Sequence, residues 1–210
     1  MVNVLDKVQP KNKTQLKSLI EYAFNHNIYD LNFIDTSKIT DMSNLFMNCE
    51  YDIDVSNWDV SNVTNMTAMF YYYKKFDCDL SNWNVSNVTD MTSMFAGCEK
   101  FEGKGLENWN VSNVTNMESA FENCYCFNVN LSNWDVSNVT SMMSIFLWCI
   151  IFKGKGIENW DVSKVEDMRY MFYGCKNFNC DLSNWDMSKA LRINEMFYGC
   201  QNFEGNGIEN

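Results

Sequence analysis

Leu80-Ser-Asn-Trp-Asn-Val-Ser-Asn-Val-Thr-Asp-Met-Thr-Ser-Met-Phe95 returns almost unchanged as Leu131-Ser-Asn-Trp-Asp-Val-Ser-Asn-Val-Thr140, and in looser form through most of the chain. Trp58, Trp83, Trp109, Trp134, Trp160 and Trp185 mark the beat at intervals of 25, 26, 25, 26 and 25. Phe76, Phe101, Phe127, Phe152, Phe178 and Phe203 keep it, as do Phe70, Phe95, Phe121, Phe146, Phe172 and Phe197, with Phe46 one unit earlier. A fixed period of this size marks stacked repeats, each of which buries its apolar face only against its neighbours.

Within the unit, Trp83 and Val85 share parity and are expected to point inward from a short strand, leaving Asn82, Asn84 and Ser86 outward. Val88, Met91 and Phe95 then fall at i, i+3 and i+7, the stripe of a short helix, with Ser86 or Asn87 as its N-cap. Gly97, Gly174 and Gly199, with Asn48 and Asn123 in the same column, suit the left-handed residue that closes such a helix. The expected fold is therefore α/β: a leucine-rich-repeat-like right-handed solenoid with parallel strands on one face and short helices on the other. Seven strands at about 4.8 Å spacing would make it roughly 35 Å long.

Alternate coils are entered differently. Cys78-Asp-Leu80 and Cys180-Asp-Leu182 lead into one type; Gly103-Lys-Gly-Leu106, Gly154-Lys-Gly-Ile157 and Gly205-Asn-Gly-Ile208 lead into the other. The full period is thus 51 residues, with a glycine bulge at every second coil. Residues 1–32 read as a capping segment, in which Thr14, Leu16, Leu19, Ile20, Ala23 and Phe24 belong to one amphipathic helix covering the first coil. Residues 33–210 carry about seven repeats, the last incomplete, because Gly205-Asn-Gly-Ile-Glu-Asn210 halts one residue before the next Trp is due. The expectation is that the array continues or that this end stacks on something.

Composition narrows the function. With 27 carboxylates against 16 Lys and Arg the net charge is −11, which repels nucleic acid and anionic lipid and counts against both as partners. No apolar run reaches membrane-spanning length. Met1-Val-Asn-Val-Leu-Asp6 lacks the basic-then-apolar pattern of a secretory signal. The compartment is left open between cell surface and cytoplasm.

The stretch from Leu131 to Thr140, followed by Met142, Phe146, Cys149 and Phe152, resembles the repeat of BspA-type leucine-rich-repeat proteins. Leu31-Asn-Phe-Ile-Asp-Thr-Ser-Lys-Ile-Thr-Asp-Met-Ser-Asn-Leu-Phe46, preceded by Lys13-Thr-Gln-Leu16, resembles the opening of such arrays. The resemblance implies a parallel-stranded solenoid at the cell surface, with adhesion or host-protein binding as its role. The unit at Met187, Ala190 and Ile193 departs from the Val, Val and Met columns.

Candidate chemistry is sparse. Cys98, Cys124, Cys149, Cys175 and Cys200, with Cys49, share one column in which Tyr73 takes the second place. No CxxC pair or converging His accompanies them, so they read as small buried hydrophobes rather than metal or redox ligands. Stacked thiols point in parallel, which disfavours disulfides. Cys126 lies outside the column. His26, the single histidine, falls at the end of the capping helix, where the helix dipole favours it. Asp59, Asp135, Asp161 and Asp186 form an outward column interrupted by Asn84 and Asn110. A flat exposed row offers no acid–base pair, and it leaves calcium as a lesser alternative. The column Asn57, Asn82, Asn108, Asn133, Asn159 and Asn184 reads as amide ladders between coils. The Asn-Val-Thr sequons at Asn62, Asn87, Asn113 and Asn138 read as helix caps.

Two segments break the polar habit of the loops. Tyr71 and Tyr72, followed by Tyr73-Lys-Lys75, and Leu147 and Trp148, near Ile150 and Ile151, put large apolar groups where other coils carry Ala, Gly, Glu or Asn. Exposed aromatics at such positions mark recognition surfaces, so these four residues are the expected binding edge. The sequence thus points to a non-enzymatic protein-binding repeat module with no catalytic, metal or cofactor site. The partner would be a host or cell-surface protein, or a second copy. The alternative is an assembly element stacking end to end through its last coil.

Overall fold

The computed structural model describes residues 7–206. The reading of Met1–Asp6 and the last four residues of the incomplete repeat, with Ile208, lie outside the described residues. The helix α1 spans Lys13–Asn25 and buries Leu16, Ile20 and Ala23. Asn12 caps it by accepting from the Gln15 amide at 3.0 Å, while the Gln15 side chain accepts from the Lys11 amide at 2.8 Å. The first contact satisfies an amide that the opening turn leaves without a partner, and the second ties the residue before the cap back onto that turn. Lys13 Nζ donates to Asp41 Oδ2 at 3.0 Å and ties the helix to the first coil.

Beyond α1 the expected architecture does not form. Among the described residues the only other helical element is a three-residue 3-10 turn at Leu106–Asn108, and there is no extended strand. The coils are built of turns, and the leucine-rich-repeat-like solenoid of parallel strands and short helices is corrected to that. Neighbouring coils run parallel, and their bridges stay isolated: Asp41, Asn65, Asp90, Asn116, Ser141, Asp167 and Arg192 form a chain of single bridges.

Side-chain acceptors, two or three in each coil, explain why. Asp79, Asn84 and Asp90 each accept, through Oδ1, the amide two residues on, at Ser81 (3.0 Å), Ser86 (3.1 Å) and Thr92 (2.8 Å). These Asx turns offer the backbone an alternative to both helix and sheet. The pattern recurs at Asn116, Asn130, Asp135 and Asp167. Between them, Leu80–Trp83 and Val85–Val88 close as tight turns at 3.0 and 2.9 Å. Trp83 and Val85 are therefore buried from the two sides of an Asx corner rather than from a strand.

The segment expected to be helical instead divides its hydrogen bonds. The amides of Met91, Ser93, Phe95 and Gly97 donate to carbonyls of the next coil at 3.1, 2.8, 2.9 and 2.7 Å. Those of Met94, Ala96 and Cys98 turn back three residues, at 3.1, 3.2 and 2.9 Å. Ser93 and Gly97 take left-handed φ values of 53° and 78°. A left-handed residue at every fourth position cannot belong to an α-helix.

Inside, the columns stack. Phe46, Phe70, Phe95, Phe121, Phe146, Phe172 and Phe197 lie ring on ring, with centroids 5.7, 5.5, 5.6, 5.8, 5.8 and 5.6 Å apart. Offset stacks at this spacing add about 0.5–1.5 kcal/mol per pair beyond the area they bury. Every column Trp sends its indole N–H to a carbonyl of the preceding coil, from Trp58 on Leu31 to Trp185 on Ile157. The cysteine column does likewise. Sγ of Cys98, Cys124, Cys149, Cys175 and Cys200 donates to the Phe carbonyl of the coil before at 2.9–3.1 Å.

Burial pushes the Cys98, Cys149 and Cys175 thiols well above the usual range and raises Cys124 as well. All nine cysteines are free. In a thiol titration of the native protein at pH 8, these four are expected to stay silent while Cys126 reacts. All nine react once the chain is unfolded in denaturant. Equal native rates for all nine would refute a closed, rigid thiol column.

Candidate functional site: an aromatic ridge

The Asx corners absorb most of the polar residues that could have carried chemistry. Asp135, Asp161 and Asp186 each hold a serine two residues on, and hydrogen bonds from Ser137, Ser163 and Ser188 lower their pKa values. Asp59 makes the same turn with Ser61. Asp79 falls to about 2, through Lys104 first and then Ser81. Among the described residues no three His, Cys, Asp or Glu side chains are placed to hold a metal.

A carboxylate whose folded pKa is depressed contributes stability above its ordinary pKa and loses it as pH falls through the lowered value. The urea midpoint is therefore expected to drop between about pH 5 and pH 2. Asp135→Asn keeps the turn, as Asn84 and Asn110 do, and is expected to leave the pH 7 midpoint within about 0.5 kcal/mol. Asp135→Ala, which orphans the Ser137 amide, costs about 1 kcal/mol. Equal midpoints for the Asn and Ala variants would contradict the turn's role.

The asparagines tie coil to coil. Nδ2 of Asn62, Asn87, Asn113 and Asn138 donates to a serine carbonyl of the preceding coil at 2.8, 2.7, 2.7 and 2.9 Å. No helix begins at these sequons, so the capping role expected of them is corrected to a cross-tie. The other Asn column ladders only in part, with Asn82 on Asn57 and Asn184 on Asn159. His26 takes its place at the end of α1, stacked on Tyr22 with its Nδ1 against the Tyr22 carbonyl.

What remains exposed and unspent is aromatic. Tyr72 and Trp148 hold φ values of 55° and 59° in the column otherwise filled by Gly97, Gly174, Gly199, Asn48 and Asn123. They stand 43% and 38% exposed. A bulky side chain in the left-handed region costs on the order of 1–2 kcal/mol, and leaving it in water forfeits the burial that could offset the strain. Tyr71 meets Tyr72 edge to face at 4.6 Å.

The two expected halves of the edge do not meet, since Gly97 and Asn123 stand between them in the column. Tyr72 borders a recess of about 470 Å³ with Asn48, Cys49, Glu50, Lys74 and Lys75. Leu147 and Trp148 line a groove of about 430 Å³ with Ser144, Tyr170, Tyr173 and Glu195. The second cluster is the richer. Trp148 contacts Tyr173 at 5.5 Å and 68°, Tyr170 meets Tyr173 at 6.1 Å and 63°, and Tyr198 stacks on Tyr173 at 4.9 Å. Burial, followed by the neighbouring Tyr198, Glu195 and Tyr170, raises the Tyr173 hydroxyl above the usual tyrosine range, so it stays protonated. Tyr170, Tyr173, Tyr198 and Glu195 escape a reading that looks at one loop at a time. Their signal is the column: Tyr173 and Tyr198 fall in register with Leu147, 26 and 51 residues on, one position before the glycines that replace Trp148.

No helix among the described residues is long and apolar enough to cross a membrane. No curated protein and no solved structure matches the chain. One family model, described as a Mycoplasma protein of unknown function, DUF285, matches residues 14–105 and again 98–210. With almost the whole chain covered by those two matches, the protein belongs to the DUF285 family.

Proposed function

We propose that the chain is a non-enzymatic binding module that engages a protein partner through the ridge of Leu147, Trp148, Tyr170, Tyr173 and Tyr198. The observation that carries this reading is the exposure of a large aromatic held in a strained backbone position on a rigid frame. Trp148 is the one tryptophan of the chain outside the buried column, and Tyr198 beside its cluster is 63% exposed. Left-handed φ is the repeat's own geometry in this column, held by Gly97 and Asn123 as well, and what sets Trp148 apart is the bulky side chain carried there. Tyr and Trp also dominate binding hot spots, because they bury large area for little lost rotamer freedom. The resemblance to BspA-type repeats supports adhesion as the setting.

The test compares capture by the immobilised chain, by Trp148→Ala/Tyr198→Ala, and by Tyr22→Ala, a control 57% exposed on α1. A partner kept by wild type and control but lost by the ridge variant supports the proposal, with retention falling about 30-fold for a hot spot worth about 2 kcal/mol. Unchanged capture by the ridge variant overturns it.

A further inference from the structure

Trp148 lies flat on the neighbouring coil. A Cβ on Gly174 would stand 2.4, 2.7 and 2.8 Å from Cε3, Cδ2 and Cζ3 of the indole. One face of the ring thus covers the glycine, and the opposite face looks outward. Tyr173 rises from the same coil at 68° to the indole, braced from behind by Tyr198 at 24°. Tyr170 stands at 63° to Tyr173. The groove therefore has an aromatic floor and two aromatic walls.

Its one charged lining residue is Glu195. Among the described residues Glu195 makes no ion pair, while the guanidiniums of Arg169 and Arg192 both turn to Asp167, at 2.6 and 3.4 Å. The Glu195 carboxylate borders the aromatic corner with no cation paired to it among the described residues.

We propose that this corner binds a quaternary ammonium group, a trimethylammonium cation in contact with the rings of Trp148, Tyr173 and Tyr170 and balanced by Glu195. Aromatic faces carry the negative lobe of the ring quadrupole and attract a cation within about 6 Å of the centroid. Rings set nearly at right angles present two faces to one small sphere, which parallel rings do not. A primary ammonium is strongly hydrated and asks for three acceptors. Ring faces make up most of the corner, and besides the tyrosine hydroxyls only Ser144 and Glu195 bring side-chain oxygens to it, so methylation favours binding by lowering the cost of stripping water. The inference rests on the ridge being a binding surface, and it names the chemistry one part of that ridge recognises.

The test is a titration of the purified chain, without any partner, with tetramethylammonium chloride, followed by the indole N–H resonances. Six tryptophans are buried and bonded to carbonyls, so the response is confined to the Trp148 signal. The expected result is a saturable shift with a dissociation constant in the millimolar range, as an exposed cation–π site of about 0.5–1 kcal/mol per ring allows. Sodium chloride at equal ionic strength and 3,3-dimethylbutan-1-ol, the neutral isostere of choline, should leave the signal in place. Glu195→Gln should weaken binding about tenfold, a change of about 1.4 kcal/mol. Tyr173→Leu should abolish it without unfolding the chain. An equal shift with the neutral alcohol, or no saturation, overturns the proposal.

Choline titrated beside Nε-trimethyllysine identifies the carrier of the cation, a small molecule or a protein side chain, by which of the two binds more tightly. If the cation fails while the ridge variant still loses its protein partner, the cation site is wrong and the partner surface stands. If the cation binds while partner capture is indifferent to the ridge, the cation site stands and the partner surface is wrong.

Discussion

Phe121→Ala is expected to cost about 3–5 kcal/mol and to split one unfolding transition into two. Phe121 is 1% exposed and sits mid-array, touching Phe95, Phe127, Trp134 and Phe146 at ring distances of 5.6, 4.4, 6.0 and 5.8 Å. Its removal opens a cavity that stacked rings on a hydrogen-bonded ladder cannot relax to fill. The second effect follows from the topology. In a stacked-repeat chain, stability is a sum of unit terms and nearest-neighbour couplings. Weakening the central coupling leaves two blocks, one capped by α1 and one without that helix, whose midpoints then separate. Urea unfolding followed by both tryptophan fluorescence and circular dichroism measures this. Coincident curves shifted by less than about 1 kcal/mol would show that the Phe stack does not carry the coupling between coils.

The sequence disclosed this frame and concealed how it is made. The repeat length, the two alternating coil types and the core columns are legible because burial repeats them once per coil: Trp109, Val111, Val114, Met117, Phe121, Cys124 and Phe127 are all closed off from water. The capping helix is legible because Leu16, Ile20 and Ala23 keep a helical interval over about two turns. Over one coil the periods deceive. A left-handed residue at every fourth position places Val88, Met91 and Phe95 much as a 3.6-residue helix would, and eight residues are too few to separate the two. Likewise Trp83 and Val85 are two apart because Asn84 turns a corner between them, which imitates a strand. The deciding signal was the dipeptide spacing Asp79-x-Ser81, Asn84-x-Ser86 and Asp90-x-Thr92. Two or three Asx turns per coil leave no run long enough for a helix or a strand. The ridge was half legible for a related reason: Trp148 stands out from its column, whereas Tyr173 and Tyr198 join it only when coils are laid side by side.

Gly105→Ala is expected to cost roughly 2–5 kcal/mol, summing left-handed strain and overpacking, where Gly199→Ala costs only about 1. Both glycines hold positive φ, 95° and 78°, so both variants bear the conformational penalty of a side chain in that region. They differ in what a Cβ meets. At Gly199 the nearest atoms are 3.5 and 3.6 Å away, ordinary contact. At Gly105 they are the Ser81 amide nitrogen at 2.3 Å and the Leu80 carbonyl carbon at 2.6 Å. Those are backbone atoms of the preceding coil, and no rotamer change removes them. Relief requires the coils to part beside the bond from the Leu80 amide to the Lys104 carbonyl, 3.1 Å long, and beside the Trp109 indole donating to the Leu80 carbonyl at 3.3 Å. Gly156 repeats the geometry one full period later, 2.3 Å from the Ser132 amide, and Gly156→Ala should match Gly105→Ala. The glycine-entered coils are then where the stack is drawn tightest, and the 51-residue period is a requirement of packing. Were Gly105→Ala no worse than Gly199→Ala in urea unfolding, the close approach would be slack and the alternation of coil types would lack this cause.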